Sequence, residues 1–384
     1  MEFVLQTVAQ KRAAGRQDQT QPSSPATRIW SGALLAIGLF ALINCALWVR
    51  LGDDKVSHDL WNGAGSIDIA VDKFSQLKQK PHVVLLGSSL MMYPFWAVDK
   101  QADANIPDIF NHRESRALQA ALDKRKAGNN YVYSFAIFGQ MVSDAYIYVN
   151  EFLKGPKTPD YVVFGIAPRD FHDSDLPAPM ATYSFKRLVD LNNFPSYVGM
   201  YLPSFQEKMD WLMGRICYFY GHRWRLQHDV NRSIGRAYDR FEIATNGSET
   251  KPADAAAGFM LAGREDVRWN SSLNEYKRRY RDIGGKDFEL QFSFLERMLQ
   301  LCQSRHIKVI VVNMPLSRDN RQLLPDGFYS NFSKRVDKVV TAYGDQYLDL
   351  GASAEFQHDD FWDTTHLNHF GGHKLLSHIA PLIQ

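Results

Sequence analysis

Cysteine is scarce in this chain, three in 384 residues, which excludes a disulfide-built scaffold. Only Cys217 and Cys302 lie outside the one long apolar stretch. One bridge at most is open to them, and the sequence leaves its formation undecided. Net charge is nearly absent too: 44 basic against 42 acidic side chains leave +2. Nothing in that balance attracts nucleic acid, and no nucleic-acid partner is expected. Internal repeats are missing, and the one biased patch is a Gln/Ser/Pro tract near residues 17–25. Long hydrophobic runs are missing as well, with a single exception, so a multi-span membrane protein is excluded. What is present is ordinary for a folded protein, 45% apolar and 22% charged, over a length that allows a sizeable core.

The exception is residues 29–49, IWSGALLAIGLFALINCALWV, in which Asn44 is the only strongly polar side chain. About 20 apolar residues cross a hydrocarbon core as a helix. Trp30 and Trp48 stand near its ends, where amphipathic rings favour the interface. Lys11, Arg12, Arg16 and Arg28 precede it, whereas Arg50 and Lys55 behind it are offset by Asp53 and Asp54. The positive-inside bias then keeps the N-terminus cytoplasmic and exports the rest. The run is too long for a signal-peptide core, and no small-residue cleavage site follows. The expected order is a cytoplasmic tail (1–28), a single-pass anchor (29–50), a stem (51–80) and one extracytoplasmic domain (81–384).

Within that domain, strand-length apolar runs at 82–86, 131–137, 161–164, 307–312 and 347–350 alternate with helical patterns. Those patterns fall near 113–126, 140–153, 287–304, 329–342 and 370–383. Such alternation predicts an α/β fold, a parallel sheet with helices on both faces in three α/β/α layers. Residues 172–286 interrupt it with aromatic and basic residues. They read as an insertion, helical in its first half and loop-like across 244–272. A cap over the sheet, or a lid or docking surface, are the roles open to it.

In an open parallel sheet, ligands bind where strands end. Three features fall at such ends. Gly87-Ser88-Ser89-Leu90 follows the first strand, and a serine on a tight strand-to-helix turn exposes its hydroxyl. Gly139 follows the second, where a glycine lets a backbone N–H approach a ligand. Asp363-Thr364-Thr365-His366 precedes the last helix, and an Asp three residues before a His can fix one tautomer of the imidazole. Ser88 is expected as the helix cap or a structural neighbour of Ser89. His366, His369 and His373 raise a metal question, but no cysteine lies near them and zinc needs three or four ligands. Neither a metal nor a cofactor is expected.

In these blocks the chain resembles the SGNH, or GDSL-type, hydrolase superfamily. Gly87-Ser88-Ser89-Leu90 is similar to its Gly-Asp-Ser-Leu block, Gly139 to its oxyanion glycine, and Asp363 with His366 to its Asp-x-x-His block. The resemblance covers 81–171 and 287–384. It implies an SGNH-like fold, Ser89 as nucleophile, His366 as base and Asp363 as orienting acid. With the anchor and the Gly-Ser-Ser variant, the chain resembles the branches that serve teichoic-acid D-alanylation or work beside membrane-bound O-acyltransferases. The family's Gly-x-Asn-Asp block is replaced by Gly165-Ile166-Ala167-Pro168-Arg169-Asp170. Ala167 has no side-chain donor, so Arg169 and the strand-end Asn313 are the candidates to supply oxyanion contacts.

The expected chemistry is two-step acyl transfer, from an acylated donor through Ser89 to a glycan or polyol hydroxyl of the cell envelope, with a multi-span O-acyltransferase as membrane partner. An esterase on the same site is one alternative. A non-catalytic assembly partner of such an acyltransferase is the other.

Overall fold

The structure is a computed structural model, and it describes residues 25–51, 64–125, 128, 130–176, 178–221 and 265–384. The chain divides into two compact units, Met1–Lys55 with Met209–Thr245, and Val56–Lys208 with Asn246–Gln384. In the first, helix α1 (Pro25–Leu51) contains the apolar run. Its segment Gly32–Arg50 has a mean hydropathy of 2.2 and no residue buried inside the protein. It is long and apolar enough to cross a membrane.

The second unit begins with α2 (Ala64–Ser75), β1 (Val83–Gly87), α3 (Ser89–Ala102), α4 (Arg116–Asp123), β2 (Val132–Ser134), α5 (Val142–Phe152) and β3 (Tyr161–Ile166). Short helices α6 (Tyr183–Leu188) and α7 (Val198–Tyr201) follow; α8 (Phe205–Ile216) then leads into the first unit, to which its residues from Met209 on and α9 (Tyr218–Gly221) belong. The chain returns to the sheet through α10 (Glu265–Arg279), α11 (Gly285–Ser304), β4 (Lys308–Asn313), α12 (Arg318–Arg321), α13 (Phe328–Ala342), β5 (Gln346–Asp349) and α14 (His369–Ile379). The class is α/β.

The five strands form one parallel sheet in the order β2-β1-β3-β4-β5. Strands covered on both faces need apolar side chains throughout, and β1 and β3 are buried at every position. Alternate residues face opposite layers. Val83, Leu85, Val163, Ile310 and Val312 share a core cluster with α3, α4 and α14, through Met91, Val98, Leu118 and Leu375. The other face is aromatic. Phe74 of α2 packs on Tyr133, and Phe135 stacks on Tyr148 and Phe152 of α5. The strand order reverses at β1, with β2 on one side and β3 on the other. A crevice opens there at the carboxyl ends of the strands.

Three expectations change. Ile67, Ala70 and Phe74 of α2 are buried, so this half of the supposed stem belongs to the sheet's core. Residues 265–272, read as loop, are the start of α10. The sequence of α10 is so polar that only Ser272 and Tyr276 are buried, a stripe of two residues one turn apart. Residues 244–264 lie outside the described residues. Residues 209–245 of the expected insertion group with the N-terminal segment instead.

Candidate active site

β1 ends at Gly87, whose φ of +137° favours glycine. A Cβ there would stand 2.5 Å from the Gly165 carbonyl oxygen of β3. The chain turns at this close approach directly into α3, and Ser89 is the helix's first residue. Ser88 holds the cap position, as expected, although its side chain makes no capping bond. The Gly87 N–H donates to Gln140 Oε1 at 2.6 Å, tying this turn to the loop after β2. That loop carries Gly139 at φ +70°.

The third block is a closed loop. The Trp362 N–H donates to the His366 carbonyl at 2.7 Å, and Phe361 bridges Leu367. Asn368 caps α14 by accepting from the Phe370 and Gly371 N–H groups. Gly372 lets α14 close onto α3; a Cβ there would lie 2.8 Å from the Pro94 carbonyl oxygen. This packing sets His366 over the start of α3.

The result is a continuous relay. His366 Nε2 lies 2.8 Å from Ser89 Oγ, and His366 Nδ1 lies 2.7 Å from Asp363 Oδ2. The other carboxylate oxygen, Asp363 Oδ1, accepts from the Thr365 and His366 N–H groups at 2.8 and 2.9 Å. Burial alone would raise the Asp363 pKa, but attraction to His366 and these hydrogen bonds outweigh it and hold it below the ordinary value. Tyr93, one turn along α3 from Ser89, packs its ring 4.7 Å from the imidazole. Burial and the Asp363 charge both push the Tyr93 hydroxyl pKa up, so it stays neutral.

Arg169 comes from the turn after β3 and is buried. Its Nη2 donates to Asp173 Oδ2 at 2.7 Å, and Nη1 reaches Asp170 Oδ1 and the Gln140 carbonyl, both at 3.3 Å. Burial disfavours its charge, but Asp173 and Asp170 outweigh that and hold it cationic. Asp170 is in turn raised by burial to about 6, with Arg169 pulling the other way. Arg169 Nη2 would be 3.4 Å from a Cβ on Gly139. The guanidinium thus braces the Gly139–Gln140 turn, and it lines the same cavity as Ser89.

Asn313 is not at the site. Its amide donates to Asp349 Oδ1 at 2.8 Å and to the Tyr329 hydroxyl at 2.9 Å. Asn313 faces Asp349 across the β4–β5 register, and this cross-strand pairing takes the amide away from the crevice. Ala167 presents no side-chain donor, and its N–H goes to Asp170 Oδ2 at 2.9 Å. The remaining candidate oxyanion donors are the backbone N–H groups of Ser89 and Gly139. Neither donates to a protein acceptor among the described residues.

Ser89, Gly139, Arg169, Asp363 and His366 line one cavity of about 400 Å³. Much of its wall comes from residues that carried no signal in the sequence. Tyr183, Arg268, Glu275, Tyr276 and Arg279 come from the insertion, and Trp362 from the Asp–His loop. The Arg268 guanidinium lies 4.7 Å from the Trp362 ring centre. Arg279 shares Asp173 with Arg169 and also binds Glu275 Oε1 at 2.8 Å. Ser272 Oγ meets Thr364 Oγ1 at 2.5 Å, inside the Asp–His loop. The i+4 spacing of Tyr93 from Ser89 was the one signal that could have found a missed neighbour.

Among the described residues no group of three or more His, Cys, Asp or Glu side chains could hold a metal ion. All three cysteines are free. No protein-family model matches the chain, and no curated protein matches it in sequence.

Proposed function

We propose that the chain is a membrane-anchored, SGNH-type serine acyltransferase. It would move an acyl group from a donor ester or thioester to a hydroxyl of a cell-envelope glycan or polyol. The observation that carries this reading is the unbroken Ser89–His366–Asp363 relay at the reversal point of the sheet. His366 Nε2 takes the proton of Ser89 as Oγ attacks the donor carbonyl, and Asp363 holds the imidazole in the tautomer that leaves Nε2 free. The tetrahedral oxyanion is met by the Ser89 and Gly139 N–H groups, with the Arg169 charge behind them. His366 returns the proton to the leaving group, then takes the acceptor hydroxyl's proton as that oxygen attacks the acyl-enzyme, and gives it to Ser89 Oγ as the acyl–Ser89 bond breaks.

The aromatic and charged wall of the cavity suits a polar acceptor bearing sugar rings. The α1 span supports a single-pass anchor. The charge bias of the sequence supports a cytoplasmic N-terminus and an exported domain. A multi-span O-acyltransferase in the same membrane would supply the donor.

The test uses the full-length protein in detergent with an activated acetyl ester and an acceptor oligosaccharide. Ser89-dependent appearance of acetylated oligosaccharide is expected. Ser89-dependent release of acetate alone makes the protein an esterase. Full glycan acylation in cells carrying Ser89→Ala overturns the catalytic reading in favour of an assembly role.

A further inference from the structure

Asn44 is the polar exception in the apolar span, and the structure gives its amide two partners. Nδ2 donates to the Ile216 carbonyl and Oδ1 accepts from the Tyr218 N–H, both at 2.6 Å. These backbone groups lie at the break where α8 ends and α9 begins, so each lacks an intrahelical partner. Trp48 adds an edge-on contact to Tyr218, with ring centres 5.3 Å apart. The bend itself is tight: a Cβ on Gly221 would stand 2.2 Å from the Gly214 carbonyl oxygen.

Depth follows from the span. Gly32–Arg50 has 19 residues, and at about 1.5 Å per residue it matches a hydrocarbon core of about 30 Å. Asn44 lies about 9 Å inside the Arg50 end by the same rise. Backbone bonded to Asn44 shares that depth. In hydrocarbon a broken helix is tolerated where its freed backbone groups are satisfied, and Asn44 satisfies two of those at this break. The bend exposes four apolar side chains. Met209, Leu212 and Ile216 recur at helical spacing and are 38%, 38% and 50% exposed, and Phe219 is 48% exposed.

We propose that α8 and α9 form a membrane-embedded bend, with Met209, Leu212, Ile216 and Phe219 seated in the lipid leaflet around the Arg50 end of α1. The inference rests on the anchor reading of α1. Lipid is the occupant because the patch continues the exposed apolar surface of α1 at hydrocarbon depth.

The test spin-labels full-length chains that lack native cysteines and carry Leu212→Cys or Phe219→Cys, in phosphatidylcholine nanodiscs. Leu39→Cys serves as the span control and Lys338→Cys as the aqueous control. Collisions with oxygen exceeding those with a nickel chelate at Leu212→Cys and Phe219→Cys, as at Leu39→Cys, support the bend. Nickel-dominated collisions there, with Leu39→Cys in lipid, overturn the bend and leave the anchor intact. Collisions with neither reagent mean that protein covers the patch and also overturn it. An aqueous Leu39→Cys overturns anchor and bend together. Hydrogen exchange on the unmodified chain in the same nanodiscs needs no variant: protection across 209–219 is expected, and exchange at the rate of an open chain contradicts the proposal.

Discussion

Ser272 of α10 and Thr364 of the Asp–His loop share a buried hydrogen bond of 2.5 Å. Thr364 also accepts from Asn320 Nδ2 at 3.3 Å. The helix α10, whose first half reads as loop in the sequence, therefore holds the loop that carries Asp363 and His366. Ser272→Ala removes one partner of a buried pair, a loss of roughly 1 kcal/mol. The expected outcome is a several-fold fall in kcat with KM nearly unchanged, measured on a soluble activated ester. A change confined to KM would assign Ser272 to substrate binding instead.

Asp363→Asn separates charge and tautomer from loop geometry. The asparagine carbonyl can still accept from the Thr365 and His366 N–H groups, as Asp363 Oδ1 does. Its NH2 would face His366 Nδ1 and impose the wrong tautomer. Turnover is expected to fall about 10⁴-fold, with an unfolding midpoint close to that of the wild type. Near-normal turnover would remove Asp363 from the relay.

Arg169→Met tests the brace behind Gly139. It leaves Asp170 and Asp173, both buried, facing an apolar side chain. Breaking a buried ion network in this way costs about 3–5 kcal/mol. Denaturant unfolding in detergent is expected to show a loss of that order. A loss under about 1 kcal/mol would mean that Arg279, through Asp173, holds the network by itself.

Asp345 gives a pH test away from the site. Burial raises its pKa from an ordinary 3.8 to about 6, against one hydrogen bond from the Val309 N–H. A raised acid pKa means that ionisation is disfavoured in the fold, so stability falls as pH rises from about 4 to about 6. Asp345→Asn keeps the acceptor and removes the charge. Its melting temperature is expected to exceed the wild type's at pH 7.5 and to match it at pH 4. Equal melting temperatures at both pH values would contradict the shift.

The legible parts of this chain share a physical cause. A strand buried on both faces must be apolar throughout, so β1, β3 and β4 stand out as runs, and the residues at their ends become candidates. Asp363 and His366 were legible because their contact is local, three residues apart on one closed loop. Asn313 failed for the same reason in reverse. Being at a strand end fixes its height but not its partner, and Asp349 on the neighbouring strand takes the amide. The cavity wall was illegible because α10 buries so little: with Ser272 and Tyr276 as its buried residues, no apolar period marks it as a helix. Nor does local sequence reveal that Arg279 and Arg169 share Asp173, a contact spanning 106 residues on the Arg279 side.

The central claim is that Ser89 is a nucleophile activated by His366. The most direct measurement is the intact mass and peptide map of the folded, full-length protein after treatment with a fluorophosphonate probe. Stoichiometric modification at Ser89, abolished by His366→Ala, is the predicted result. A folded wild-type protein that remains unmodified, or that reacts equally after His366→Ala, would contradict the account.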